Sequence, residues 1–597
     1  MPEATQVRSS APAQTRINIQ YWVEMSQPET HLFEVTLQVS GWQSETLDLK
    51  MPVWTPGSYL VREYARHLQD FTVMGRVAAS WQKLSKNHWQ IKTAGLTDIT
   101  VRYRVFANEL TVRTNHLDST HGYFNPAALC FYIPGYEANP IRITIVLSNS
   151  QWHVSTPLPA IVGEKHTFEA ENFDTLVDSP FEMGTHAVHE FEVMGKPHQF
   201  AIWGQGNLDV KRLLEDTAKI IKTEADLFEG LPYESYLFLL HLSSQGYGGL
   251  EHKTSCTLNY SRMGFRSEEK YNRFMQLVAH EFFHLWNIKR IRPKALECFD
   301  YDQENYTPSL WFSEGTTSYY DVVLPFRAGI YDAKTFLKEL GKEVCRFLTT
   351  PGRRVQPLAE SSFDAWIKLY RRDTNSDNSQ MSYYLKGAMV SFLLDLLIRK
   401  QHHNKRSLDD VMRQMWQQFG RDEVGFTPEQ LESVIEAIAA VDLKSFFEHA
   451  LNSVDELPFD QYLEPFGLRL CSDQEKQNTP FTGLKVKSEQ GRELVKFVEM
   501  GSPAQKAGLD AGDELLALNG LRVTAEHWGD RLCDFAPGDT VEVSFFHQEE
   551  LLTRPMILAE PHPTKYWLAP VDRPSTHQTE LLRGWLGITP SDLGSHS

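Results

Sequence analysis

Residues Gln276 to Pro293, reading QLVAHEFFHLWNIKRIRP, constrain this chain more than any other stretch. His280, Glu281 and His284 stand in an H-E-x-x-H arrangement, and on a helix the two histidines lie one turn apart on one face. Two imidazoles so placed can share one metal ion. Helix signals surround them. Ser267 is a fitting N-cap, and Glu268 and Glu269 fall in the first turn, where the helix dipole favours negative charge. Tyr271, Phe274, Leu277, Val278, Phe282 and Leu285 supply a buried stripe, and Pro293 marks the expected end. The bland alternative is that both histidines are satisfied core residues.

A chain of 597 residues exceeds what one core supports, so roughly two to four domains are expected. From Ile17 to about Pro180, short alternating runs such as HLFEVTLQVS, DITVRYRVFA and IRITIVLSNS predict an antiparallel β domain, residues 1–180. Two stretches within it, Met51 to Leu68 and His121 to Gly135, are dense in aromatics, Pro and Gly. They read as rigid loops, or as walls of a substrate cleft. After Phe181 the pattern becomes mostly helical through residue 456. Asn207 to Glu229 has helical spacing closed by Gly230 and Pro232, and Ser235 to Leu242 reads as a buried strand. That strand runs into SSQGYGGLEHKTS, where Gly246, Gly248 and Gly249 precede Glu251. Glycines there let a ligand's backbone approach a strand edge, and a carboxylate beside them can grip an amine; the plain reading is a loop. Leu310 to Leu324 reads as another helix with Glu314 near its start, and Lys334 to about Leu451 as a helical subdomain. Short strands return past Leu457, giving a unit over residues 457–560. A tail follows, 561–597, whose Tyr566, Trp567, Leu581, Leu582, Trp585 and Leu586 predict that it packs back on the body.

Hydrophobic content of 41% with no run of about eighteen apolar residues excludes a bilayer span and predicts a soluble chain. The amino terminus has no apolar h-region, so the expected location is cytoplasmic. Six cysteines without C-x-x-C spacing suit reduced thiols, most of them in the core. A net charge of −18 spread along the chain argues against nucleic acid or anionic membrane as a partner; it suits solubility, and also cationic ligands such as free amines.

The chemistry follows from these groups. One zinc per chain, held by His280, His284 and Glu314, would keep an open position for a water that it acidifies. Glu281, turned about 100° from His280 on the helix, would point at that water as general base. A further donor is needed for the oxyanion, and Tyr384 or Tyr383, before Lys386 and Gly387, are candidates.

The run G-S-P-A-x-x-A-G-L-x-x-G-D-x-L-L-x-x-N-G, Gly501 to Gly520, closely resembles the PDZ fold. H-E-F-F-H-L-W-N, W-F-S-E-G, G-G-L-E-H and Y-L-K-G together resemble the gluzincin aminopeptidases, and among them the PDZ-containing glycyl aminopeptidase family. The resemblance covers nearly the whole chain. It implies a multidomain α+β protein with an N-terminal antiparallel β domain, a thermolysin-like, mostly helical zinc peptidase domain and a C-terminal PDZ domain. It implies removal of an N-terminal residue, preferably small such as Gly or Ala, from peptides with a free N-terminus, with a C-terminal peptide as a possible PDZ ligand. His280, His284 and Glu314 match the zinc ligands and Glu281 the base. Glu251, after the substrate-side glycines Gly248 and Gly249, matches the amine-binding glutamate of G-x-M-E-N, and Tyr384 the tyrosine of Y-E-K-G. Two departures stand out. Twenty-nine residues separate His284 from Glu314 where aminopeptidase N has about eighteen, so a loop near Lys294 to Pro308 is inserted, with Glu297 and Glu304 as rival carboxylates. His252 replaces the motif's asparagine. Other readings are a PDZ-based binding scaffold without peptidase activity, and a zinc hydrolase of a non-peptide, since a related gluzincin opens an epoxide.

Overall fold

The computed structural model describes residues 17–75, 79–474 and 478–593. The amino-terminal segment without an h-region and the last four residues of the tail lie outside the described residues. The chain divides into two compact units. Unit one comprises Met1–Thr307, Val323–Tyr331 and Met412–Gln430, and unit two Pro308–Val322, Asp332–Val411 and Leu431–Ser597.

Unit one begins with β structure because residues alternate between buried and exposed, as in Leu32–Ser40 and Asp98–Phe106. Strands pair in the order Thr167–Ala170, Ile141–Val146, Asn18–Glu24, Leu32–Ser40, Asp98–Phe106, Leu68–Met74. The expected antiparallel sheet holds except in one place: Asn18–Glu24 runs parallel to Ile141–Val146, because the chain crosses over through the whole domain before returning beside its first strand. Tyr21, Trp89, Tyr103 and Phe131 are among the large rings in its core. A smaller sheet, His153–Ser155, Phe181–Gly184, His121–Phe124, His116–Leu117, is built from strands largely interleaved in sequence with those of the first.

The next sheet positions the site. Its order is Ala187–Val193, Lys196–Trp203, Tyr236–Ser243, Ser255–Ser261, Tyr247–Glu251, and the three middle strands are parallel. Tyr247–Glu251 is therefore an edge strand, antiparallel to its neighbour. The helix Val210–Phe228, capped by Asp209, joins two of the parallel strands. It packs on the motif helix through Phe228 against Phe283 and Trp286, and through the Tyr271 hydroxyl, which donates to Asp216 at 2.9 Å.

Unit two holds the segment Trp311–Thr316, the helices Ala333–Leu348 and Tyr383–Gln401, and a C-terminal sheet. Trp311–Thr316, expected as α-helix, is wound as a π-helix. It crosses Tyr383–Gln401 at two glycines: a Cβ on Gly315 would come within 2.5 Å of the Gly387 Cα, so only a pair of glycines allows that approach. Contrary to the expectation of no such stretch, Ser376–Gln401 is by length and composition apolar enough to cross a membrane, but 83% of its apolar window is buried inside the protein. The C-terminal sheet runs in the order Leu484–Glu489, Arg492–Val498, Glu514–Leu518, Thr540–His547, Glu550–Ile557, with its own core around Val495, Leu515, Val541 and Phe545. Leu468–Ser472 is not part of it; this strand pairs with Tyr566–Pro570 of the tail. The tail helix Thr576–Leu586 buries Leu581, Leu582 and Leu586 and packs the half-buried Trp585 ring against Phe336, Phe392 and Phe466. Of the six cysteines, all free, only Cys130 and Cys256 are buried, fewer than expected, and Cys298 and Cys533 are exposed on connecting segments.

Candidate active site

The motif helix spans Glu268–Phe283, with the Ser267 side chain accepting from the Lys270 backbone N–H. Phe274, Leu277, Val278 and Phe282 are buried, each stabilising the helix by about 2 kcal/mol relative to exposure. The helix ends ten residues before Pro293. His284 is its C-cap, and the chain then turns through Ile288 at φ 122°, burying Trp286, Lys289 and Arg290. This turn orients a ligand. Asn287 brings its carbonyl to 2.8 Å from His284 Nδ1, so that nitrogen carries the proton and Nε2 keeps its lone pair. The His280 ring stands across from it, centroids 4.6 Å apart and planes at 88°.

Glu281 and Glu251 converge beside them. Glu251, Glu281 and His284 each offer a ligand atom, all within 4.8 Å of one another. Two glycines make room. A Cβ on Gly249 would fall 2.1 Å from a Glu281 carboxylate oxygen. Gly57, in the Trp54–Tyr59 stretch, has φ +85°, and a Cβ there would lie 2.5 and 2.7 Å from the two oxygens of Glu251. The stretch expected to wall a cleft therefore backs the carboxylate. It borders a cavity of about 460 Å³ that Glu251, Trp54, Tyr59, Lys289 and Arg290 also line. Arg113, which sequence reasoning did not single out, donates to the Gly249 carbonyl at 3.0 Å and pins the edge strand. His252 turns to Asp178, Nδ1 at 3.2 Å from the carboxylate, which Lys289 also meets at 2.5 Å; burial raises the Asp178 pKa, but Lys289 and His252 outweigh it and hold the carboxyl ionised.

Glu224 was also missed. It lies on the buried face of Val210–Phe228, both oxygens without a hydrogen-bond partner; burial pushes its pKa well up, while the charge of His280 acts in the opposite sense. The signal was present in the sequence as a glutamate inside an apolar stripe.

Unit two carries the remaining candidates. Glu314 is 2% exposed on the π-helical turn. Ser382 caps the helix that starts with Tyr383 and Tyr384. Tyr383 has no exposed surface, whereas Tyr384 is partly exposed, its hydroxyl 3.1 Å from that of Tyr370. Burial and then the Glu314 charge raise the Tyr384 pKa well above its usual value, so its hydroxyl keeps its proton as a donor. The rivals differ. Glu297 is paired with Lys294 and accepts from the Gly425 backbone, and no shared cluster includes Glu304 among the described residues.

Two family profiles match the chain: the peptidase M61 N-terminal domain over residues 20–185 and M61 glycyl aminopeptidase over residues 273–390. The crystal structure of an aminopeptidase N family protein from Idiomarina loihiensis is 33% identical, covers 95% of this chain and 100% of its own, and superposes with a TM-score of 0.90. Fold and site define a metallopeptidase of the aminopeptidase group. Weaker likenesses are an M1 zinc metallopeptidase from Deinococcus radiodurans (12% identity, 74% of this chain and 96% of that one, TM-score 0.46) and yeast LTA4 hydrolase in complex with bestatin (14%, 76% and 71%, 0.42). Compared with curated proteins by sequence, the chain matches none. The chain belongs to the M61 glycyl aminopeptidase family.

Proposed function

We propose that the protein is a zinc-dependent aminopeptidase that removes a small N-terminal residue, Gly or Ala, from peptides. The observation that carries this reading is the meeting of His280, Glu281, His284 and Glu251 beside the edge strand Tyr247–Glu251. His280, His284 and Glu314 are the residues that would hold zinc. The fit rests on His284, whose Nδ1 proton is taken by the Asn287 carbonyl, leaving Nε2 for the metal. When bound, zinc supplies Lewis-acid activation of water and of the scissile carbonyl. Glu281 takes the proton released by the attacking water and delivers it to the leaving amine. Glu251 accepts N–H bonds from the substrate's free amine, which limits cleavage to the first peptide bond. Tyr247–Glu251, the last strand of its sheet, would pair with the substrate main chain as an added strand. Tyr384 donates its hydroxyl to the developing oxyanion.

The small-residue preference draws on the family description and is tested by a substrate profile over all N-terminal residues. A distinct donor set, Glu251, Glu281 and His284, would engage Glu281 as ligand rather than base. Metal analysis of Glu281→Gln separates them: retained zinc with lost turnover supports the base, and lost zinc overturns it. We also read the C-terminal sheet as a PDZ domain. Supporting this are its edge strand Leu484–Glu489 and a cavity of about 600 Å³ lined by Phe481, Leu484, Phe497, Trp528 and Leu532, a place for a peptide carboxy terminus. Peptide-array binding by the whole chain tests it.

A further inference from the structure

A second cluster of titratable side chains lies in unit one, on the small sheet His153–Ser155, Phe181–Gly184, His121–Phe124, His116–Leu117. The register pairs His116 with Tyr123, Gly184 with His121, and Glu182 with both Tyr123 and Ser155. Side chains alternate faces along a strand and directly paired residues share a face. His116, His121, Tyr123 and Glu182 therefore project from one face, and Asp118, two residues beyond His116, continues it.

Glu182 is 1% exposed and sits between two imidazoles, His121 Nδ1 at 2.9 Å from one oxygen and His241 Nε2 at 2.9 Å from the other. Each of these ring nitrogens donates to a carboxylate oxygen. An imidazole that donates through Nδ1 keeps a lone pair on Nε2. In His121, fully buried and stacked on Trp203 with centroids 3.7 Å apart, that Nε2 has no hydrogen-bond partner. A buried polar atom without a partner is destabilising unless a ligand takes it up. The His116 and His121 ring centroids are 4.8 Å apart; His116 Nε2 lies 3.2 Å from Asp118 Oδ2, and its Nδ1 has no hydrogen-bond partner. His116, Asp118 and His121 each present a ligand atom, all within 4.8 Å of one another. A carboxylate behind one ring nitrogen is the arrangement that orients histidine ligands of transition metals.

We propose that His116, Asp118 and His121 form a second metal site, separate from the catalytic histidines, that takes zinc or a similar divalent ion. Two imidazoles and one carboxylate suit such an ion. Glu182 holds His121 in the ligating tautomer, and Asp118, about a third exposed, leaves the site open to solvent. The ion ties the hairpin of His116–Leu117 and His121–Phe124 together and stabilises it, since bound metal favours the state that binds it.

The test uses the full chain, stripped with chelator and titrated with cobalt(II) chloride, read by visible ligand-field bands and by metal analysis. In a chain carrying His280→Ala and His284→Ala, one cobalt per chain is expected. Adding His116→Gln or, separately, Asp118→Asn should weaken that binding by about tenfold or more. The otherwise unaltered chain gives a second readout: His116→Gln lowers its bound cobalt by one equivalent whether or not the catalytic histidines take metal. Absence of cobalt from the His280→Ala, His284→Ala chain, with its fold intact by circular dichroism, overturns the site. Undiminished binding in both His116→Gln and Asp118→Asn does so too.

Discussion

Gly57 and Glu251 show how single residues set the site. A Cβ at Gly57 would enter the space of both Glu251 oxygens, and its φ of +85° already disfavours any side chain. Gly57→Ala is therefore expected to raise KM for free-amine substrates while leaving bound metal unchanged; unchanged KM would detach this loop from amine binding. Glu251→Ala removes a charge-assisted hydrogen bond worth about 1.5–3 kcal/mol, so kcat/KM on aminoacyl-p-nitroanilides should fall about tenfold to a hundredfold with zinc retained. Glu281→Gln should lose about a hundredfold or more of kcat. A buried histidine away from the site sets a pH dependence. His198, hydrogen-bonded to the Tyr233 hydroxyl and the Lys196 carbonyl, has its pKa lowered by burial to about 4. The unfolded chain protonates this group near its ordinary value of 6.5, the folded chain only near 4, so its effect is absent above about 6.5 and stability falls as pH drops from there toward 4, by up to about 3 kcal/mol. Urea unfolding across that range should show a shallower slope for His198→Gln than for the unaltered chain.

At the scale of elements, the sequence was most informative where periodicity is long. The cap at Ser267, the stripe from Tyr271 to Phe282, the helix Val210–Phe228 and the strand Tyr236–Ser243 all fall where apolar spacing places them. It was least informative where tertiary contacts override local pattern. Pro293 is compatible with a helix end, but the turn at Ile288 stops the helix earlier by aiming the Asn287 carbonyl at His284. The π-helical turn at Glu314 depends on the Gly315 and Gly387 crossing, which joins two distant motifs. The parallel strand pair in the first domain reflects long-range register and has no local signature. The inserted loop after Pro293 is a clamp. Trp54 Nε1 donates to the Asp300 carbonyl at 2.7 Å, the Tyr301 hydroxyl to Asp174 at 2.6 Å, and Asp302 pairs with Lys50 and accepts from Asn87. Asp302→Ala should lower stability by about 1–3 kcal/mol in urea unfolding, with kcat little changed. A loss of turnover without loss of stability would assign the loop to the site.

For the whole molecule, the family was legible because H-E-x-x-H, G-G-L-E-H, W-F-S-E-G and Y-L-K-G occur together in one chain. The histidine face around Glu182 was not, because His116, Asp118 and His121 lie close in sequence but Glu182 and His241, which hold the ring of His121 in place, come from distant strands. In the proposed function, amine recognition and metal chemistry depend on each other. Its most direct test compares hydrolysis of glycyl- and alanyl-p-nitroanilide with their N-acetylated forms, before and after chelation and after return of zinc. Turnover of the free-amine substrates is expected, abolished by chelation and restored by zinc, with negligible turnover of the acetylated forms. Equal rates on free and acetylated substrates, or turnover that survives complete removal of the metal, would contradict it.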